Sequence, residues 1–210
     1  MGTNFNNYQI LNKFNVSRET YHILDNFRKL VIKENKLINL ISHKTEANFV
    51  ERHIIDCAQA IDFIDINSKI CTDIGTGAGL PGIVLAIILR ERNIGMKINL
   101  YEKSYHKGRF LEHISKKLNL DVEIFNKDIF NEKNLNAGTI TSRAFKPLPK
   151  ILSLVEKNFN NYKNLVVFMG KNGKLMLKET IKNWEFEYKE KRSLTNKDSF
   201  LLNIKNVKKK

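Results

Sequence analysis

Residues 70–82, Ile70-Cys71-Thr72-Asp73-Ile74-Gly75-Thr76-Gly77-Ala78-Gly79-Leu80-Pro81-Gly82, constrain this chain more than any other stretch. The first five read as a short buried strand. The rest read as a glycine-dense turn that opens a helix. Glycine serves where φ must be positive or where a ligand approaches the backbone closely. Three in alternation between strand and helix point to a loop wrapped against a ligand. Pro81 suits the first helical turn, where its missing N–H would have had no intrahelical acceptor. From Gly82 to about Arg92 the chain is apolar nearly all round, with Ile83, Leu85, Ala86, Ile87, Ile88 and Leu89. A helix of that kind is buried against a sheet.

Downstream, strands and helices alternate. Residues 97–102, 121–125, 138–142 and 165–169 read as strands, and 105–119, 147–159 and 173–181 as helices. Residues 184–188 and 200–204 alternate apolar with polar, as half-covered antiparallel strands do. The basic tail 206–210 reads as solvated. The pattern predicts an α/β domain over 69–205 with a doubly wound, mostly parallel sheet. Ahead of it, residues 1–68 read as an N-terminal helical extension. Its polar lead carries the anchors Phe5, Tyr8, Ile10, Leu11 and Phe14. Ser17 reads as the N-cap of a helix, and a second helix is expected over about 46–63. In that second helix Arg52 and Asp56 stand one turn apart and read as a surface ion pair. His53 reads as a packed or surface residue, not a ligand.

In doubly wound sheets, ligands bind beyond the carboxyl ends of the strands at the switch point. The glycine loop, Glu102, Asp128 and Arg143 all fall at such ends. Two ligands compete for the loop. Gly77-Ala78-Gly79-Leu80-Pro81-Gly82 matches the dinucleotide fingerprint, with Glu102 placed for ribose hydroxyls. Asp73 followed by Gly75, Gly77 and Gly79 instead has the form of the S-adenosylmethionine loop. A carboxylate there suits an ammonium, directly or through water, and repels a pyrophosphate. Asp128, after the third strand, is placed for an adenine edge. The acid favours S-adenosylmethionine, and a nicotinamide-dependent oxidoreductase remains the alternative.

The net charge of +14 is unevenly spread. Residues 1–68 hold eight basic and eight acidic residues, whereas 69–210 hold 28 and 14. A basic lobe of this kind suits a polyanionic partner, although an AT-biased genome would also enrich lysine and asparagine. Lys103, Lys107, Arg109, Lys146, Lys150, Lys171 and Lys174 lie on segments near the expected mouth of the site. No apolar run reaches the ~18–20 residues of a membrane span. With no signal peptide read at the N-terminus and only Cys57 and Cys71 as cysteines, the expectation is a cytoplasmic protein without a metal cluster.

The segments Asn39-Leu40-Ile41-Ser42, Arg52-His53-Ile54-Ile55-Asp56, the 73–82 loop with its Leu-Pro-Gly, Arg109-Phe110-Leu111 and Ser142-Arg143-Ala144-Phe145 carry a resemblance. The chain resembles the bacterial small-subunit ribosomal RNA guanine-N7 methyltransferases, the glucose-inhibited division protein B family. Two positions depart from that family's pattern: His106-Lys107 precedes Arg109, and Met169-Gly170 ends the fifth strand. The resemblance implies a Rossmann-like S-adenosylmethionine-dependent methyltransferase fold. It implies cofactor contacts at Gly75, Leu80, Asp128, Ile129 and Arg143, to which the loop reading adds Asp73, Gly77, Gly79 and Glu102. The implied reaction is methylation of N7 of a guanine in 16S ribosomal RNA, free or in the small subunit, by a monomer. Another S-adenosylmethionine-dependent RNA methyltransferase and a non-catalytic RNA-binding protein are the neighbouring readings. Guanine N7 is a bare lone pair, so no general base is required. Arg143 is expected to act by positioning.

Overall fold

A computed structural model describes residues 6–92 and 95–210, so Phe5 lies outside the described residues. A 3-10 segment over Asn6–Phe14 leads into α1 (Arg18–Glu34). The Ser17 hydroxyl caps α1 by accepting from the Thr20 N–H. A second helical run follows. It is wound as a π-helix over Val50–Ile55, a short α2 (Asp56–Ala58) and a 3-10 turn over Gln59–Phe63. The expected helix is therefore present, but irregular.

The sheet domain comprises β1 (Ile70–Ile74), α3 (Gly82–Glu91), β2 (Lys97–Tyr101), α4 (Tyr105–Lys117) and β3 (Val122–Phe125). It continues through β4 (Leu135–Asn136), β5 (Thr139–Arg143), α5 (Leu148–Asn158), β6 (Phe159–Asn161), β7 (Asn164–Met169) and α6 (Gly173–Thr180). The hairpin β8 (Trp184–Arg192) and β9 (Phe200–Lys209) completes it. The seven-stranded sheet has the order β3-β2-β1-β5-β7-β9-β8. It is parallel from β3 to β7 and antiparallel at the hairpin. β4 and β6 pair separately as a small parallel sheet, which short polar strands did not announce. The basic end of the chain is not a free tail: β9 runs to Lys209 and pairs with β8 as far as Trp184.

The all-round apolarity of α3 has a tertiary reason. One side lies on the sheet and α1 lies on the other, so every residue from Gly82 to Leu89 is buried. Residues from Tyr8 to Ile64 share one core with α3, β1, β2 and α4. A second core under α5 and α6 holds the other face of the sheet. Glu91 joins the two parts of the first core. Its carboxylate accepts from the Ser17 N–H at 3.0 Å and the Thr20 hydroxyl at 2.8 Å. The described residues from Asn6 to Ile64 thus pack onto one face of the sheet. Among the described residues, no helix is long and apolar enough to cross a membrane.

Candidate functional site

β1 is the strand from which the order reverses, with β2 on one side and β5 on the other. A cavity of about 690 Å³ opens beyond its carboxyl end. The loop after β1 forms its floor. Gly75, Gly77 and Gly79 all adopt positive φ, at 69°, 59° and 88°. The N–H groups of Gly75 and Thr76 donate to the Tyr101 carbonyl at the end of β2. The Gly77 N–H donates to Glu102 Oε2 at 3.0 Å, and the Ser104 N–H to Oε1 at 2.7 Å. Glu102 therefore holds the loop and the start of α4 together while its side chain borders the cavity. A Cβ on Gly77 would meet nothing within 4 Å, so the backbone there is bare toward the open space. A Cβ on Gly75 would lie 2.0 Å from the Phe145 ring, so that glycine lets the two chain segments close on each other. The Leu80–Pro81 peptide is cis.

Gly75, Gly77, Leu80, Glu102, Asp128, Ile129 and Arg143 all border the cavity. Asp73 and Gly79 do not border it. The Asp73 side chain is fully buried. Oδ2 accepts from the Gly82 N–H at 2.8 Å, and Oδ1 from the Thr141 hydroxyl at 3.0 Å. The register explains the second bond, because Asp73 and Thr141 are paired positions on β1 and β5. Burial pushes the Asp73 carboxyl up to about 6, against the lowering effect of these hydrogen bonds. Asp73 fastens the first turn of α3 to the sheet behind the loop. Gly79 is packed against Ile83, whose side chain would lie 2.4 Å from an added Cβ.

On the opposite wall, Arg143 reaches back to the helical run before β1. Its Nε donates to Asp56 Oδ2 at 3.0 Å, and its Nη2 donates to the Arg52 carbonyl at 2.8 Å. Asp56 is thus engaged by Arg143 and not by Arg52. An exposed helical pair is worth only a few tenths of a kcal/mol, whereas a guanidinium under a covering segment needs a counter-charge. The other Asp56 oxygen accepts from the Thr195 hydroxyl at 3.0 Å and the Gln59 amide at 3.3 Å. His53 is buried, lies with its ring tilted by 57° against Phe49 and shares a 2.8 Å hydrogen bond with Thr45. Burial, then the charges of Arg143 and Arg52, push it down to about 3, so it is neutral. It is packed, one of the two placements the sequence allowed, and it also borders the cavity.

Sequence reasoning missed three contributors. Asn35 accepts from the N–H groups of Leu40 and Ile41 and donates to Glu46, so it shapes the turn that brings Leu40, Ile41 and Ser42 to the cavity. Ser193 and Thr195, in the β8–β9 loop, also border it. Asn35 was detectable as an asparagine just after a helix; the hairpin loop carried no local signal. Among the described residues, no group of three or more His, Cys, Asp or Glu could hold a metal ion.

The family model for GidB, described as rRNA small subunit methyltransferase G, matches residues 20–203. A "Ribosomal RNA small subunit methyltransferase G" of Pelagibacter ubique is 52% identical over 208 residues, covering 98% of both chains. The protein of the same name from Rickettsia rickettsii (strain Sheila Smith) is 37% identical, covering 92% of this chain and 98% of that one. Among solved structures, a mutant of MtNAS in complex with S-adenosylmethionine has a TM-score of 0.60 at 12% identity, covering 88% of this chain and 75% of that one. An S-adenosylmethionine-dependent methyltransferase from Aquifex aeolicus has a TM-score of 0.56 at 13% identity, covering 83% and 96%. At such identities the structural likeness concerns the fold alone.

Proposed function

The chain belongs to the rRNA small subunit methyltransferase G family, and on that premise we infer that its cavity binds S-adenosylmethionine and presents it to small-subunit ribosomal RNA. The acceptor in this reading is N7 of a guanine. The observation that carries it is the cavity at the switch point, with the bare Gly77 backbone on its floor and the acids Glu102 and Asp128 on its wall. Acids in those places suit the ribose hydroxyls and the adenine edge of a nucleoside, and the family favours S-adenosylmethionine over a dinucleotide.

When bound, S-adenosylmethionine supplies an activated methyl: N7 gives its lone pair to the carbon, sulfur keeps the pair of the broken bond, and the positive charge passes to the purine. The protein's own share is positioning, since N7 carries no proton to remove. Gly75, Gly77 and Leu80 would lie along the cofactor, Glu102 at its ribose, and Asp128 and Ile129 at its adenine. Asp73 and Gly79 would act from behind, by fixing the loop. Arg143, tied to Asp56 and the Arg52 carbonyl, would hold the cofactor edge or the acceptor's phosphate or O6. An Arg143 contact to N7 itself is excluded, because it would occupy the nucleophile.

In this reading residues 1–68 form an N-terminal extension of the methyltransferase domain, whose described part from Asn6 on covers one face of the sheet, and the enzyme works as a cytoplasmic monomer. The basic lobe supplies salt-dependent affinity for the RNA backbone. The test has two steps. Calorimetry with S-adenosylhomocysteine, then NAD, should give binding by the first alone. Mapping labelled methyl groups on 16S RNA and on small subunits should then give a single modified guanine. Binding of NAD alone, or label spread over many sites, would overturn the reading.

A further inference from the structure

The segment after Arg143 is built oddly for a mere connection. Ala144 has φ 50°, a left-handed conformation that an alanine adopts at a cost, and it is exposed at the cavity. Such outliers persist where the surroundings over-determine them, and they cluster at functional sites. The kink turns Phe145 onto the glycine loop, where only a glycine at 75 leaves room for its ring. Phe145 borders the cavity and is half-buried. It is stacked with Phe130 at a centroid distance of 5.9 Å and an interplanar angle of 28°. Phe130 follows Asp128 and Ile129, both on the cavity wall, and is 37% exposed. Lys146 Nζ lies 6.0 Å from the centre of the Phe145 ring. Phe145 also packs against the second core, but core packing alone needs neither the strained residue before it nor a cation beside it.

We propose that Phe145, backed by Phe130, is the platform on which the target guanine stacks during methyl transfer. The proposal rests on the methyltransferase reading and adds the element that holds the acceptor. The chemistry makes an aromatic platform more than a shelf. The purine becomes cationic as N7 is methylated, and the face of an aromatic ring attracts cations. The stack therefore strengthens along the reaction, which is the condition for an interaction to raise the rate and not only the affinity. It opposes no developing charge, as an arginine or lysine aimed at the ring would. Lys146 occupies the ring's neighbourhood in the free protein, and an incoming base would displace it toward a phosphate.

The test compares the wild-type protein with Phe145→Leu, which keeps apolar bulk without a π face, and Phe145→Tyr, which keeps the ring. Phe130→Leu, one layer away, is the milder companion should Phe145→Leu fold poorly. With S-adenosylhomocysteine present, calorimetry measures binding of guanosine monophosphate and of its N7-methylated form. Single-turnover methylation of small subunits gives the rate. Wild type should prefer the methylated nucleotide. Phe145→Leu should lose that preference and between about fivefold and about a hundredfold in methylation rate, with S-adenosylhomocysteine affinity unchanged. Phe145→Tyr should recover most of both. The proposal is overturned if wild type shows no such preference, if Phe145→Leu retains it, or if the leucine change costs S-adenosylhomocysteine affinity instead. Absence of any methylation by wild type would sink the underlying reading, a distinct result.

Discussion

Asp56 gives the sharpest contrast between what a helix alone would do and what the folded chain does. A helical pair with Arg52 would be worth about 0.3–0.5 kcal/mol. The structure instead gives Asp56 an ion pair to Arg143, with side-chain exposures of 17% and 19%, and two or more hydroxyl or amide donors besides. Removing one partner of a buried pair costs about 3–5 kcal/mol, because the other charge is left without compensation. The remaining exposure of this pair argues for the lower end, so Asp56→Ala should cost about 3 kcal/mol. For a chain of this size, that lowers Tm by about 6–12 °C. Arg52→Ala leaves the carbonyl that Arg143 uses and should move Tm by less than about 2 °C. Thermal unfolding by circular dichroism at pH 7 checks both. A double-mutant cycle of Asp56→Ala with Arg143→Met should give a coupling above about 1 kcal/mol. Equal losses from Arg52→Ala and Asp56→Ala, or a coupling of zero, would refute the reasoning.

Asp73 makes a pH prediction. Its folded pKa of about 6 lies above the ordinary 3.8, so the native state keeps a proton that the unfolded chain has lost. Its contribution to stability therefore falls as pH rises from about 4 to about 6 and stays lower above that, by about 3 kcal/mol. In Asp73→Asn, the amide can accept from the Gly82 N–H and donate to Thr141, so Tm relative to wild type should rise between pH 4 and pH 7; a constant difference would contradict the burial argument. Gly75→Ala and Gly77→Ala carry similar left-handed strain, but only the first strikes Phe145. Gly75→Ala should lower Tm the more, and Gly77→Ala should weaken S-adenosylhomocysteine binding for a smaller loss of Tm, as calorimetry beside thermal melts would show. Reversing the exposed Lys150 and Lys171 to glutamate should reduce the salt slope of RNA binding by up to about one per lysine, with S-adenosylhomocysteine affinity kept. An unchanged slope removes them from the RNA footprint.

The amino-acid sequence alone determined the parts that depend on neighbours along the chain. The apolar run of β1, the alternating glycines, the Ser17 cap and the strand–helix alternation each follow from local backbone and solvent preferences. They were enough to infer the doubly wound sheet and most of the named residues that border the cavity at its rim. Tertiary structure decided the partners. Asp73 sits where an acid would face a ligand, yet pairing of β1 with β5 sets it against Thr141, and its oxygens are spent on the protein itself. Asp56 chose a residue 87 positions away over one four positions away, because a charge under a covering segment costs more to leave alone than one in water. The bend at Ala144, the ring on Gly75 and the β8–β9 loop beside Asp56 depend on segments far apart in sequence. Local propensity carries no information about such contacts, which form only once the sheet has brought its strand ends together.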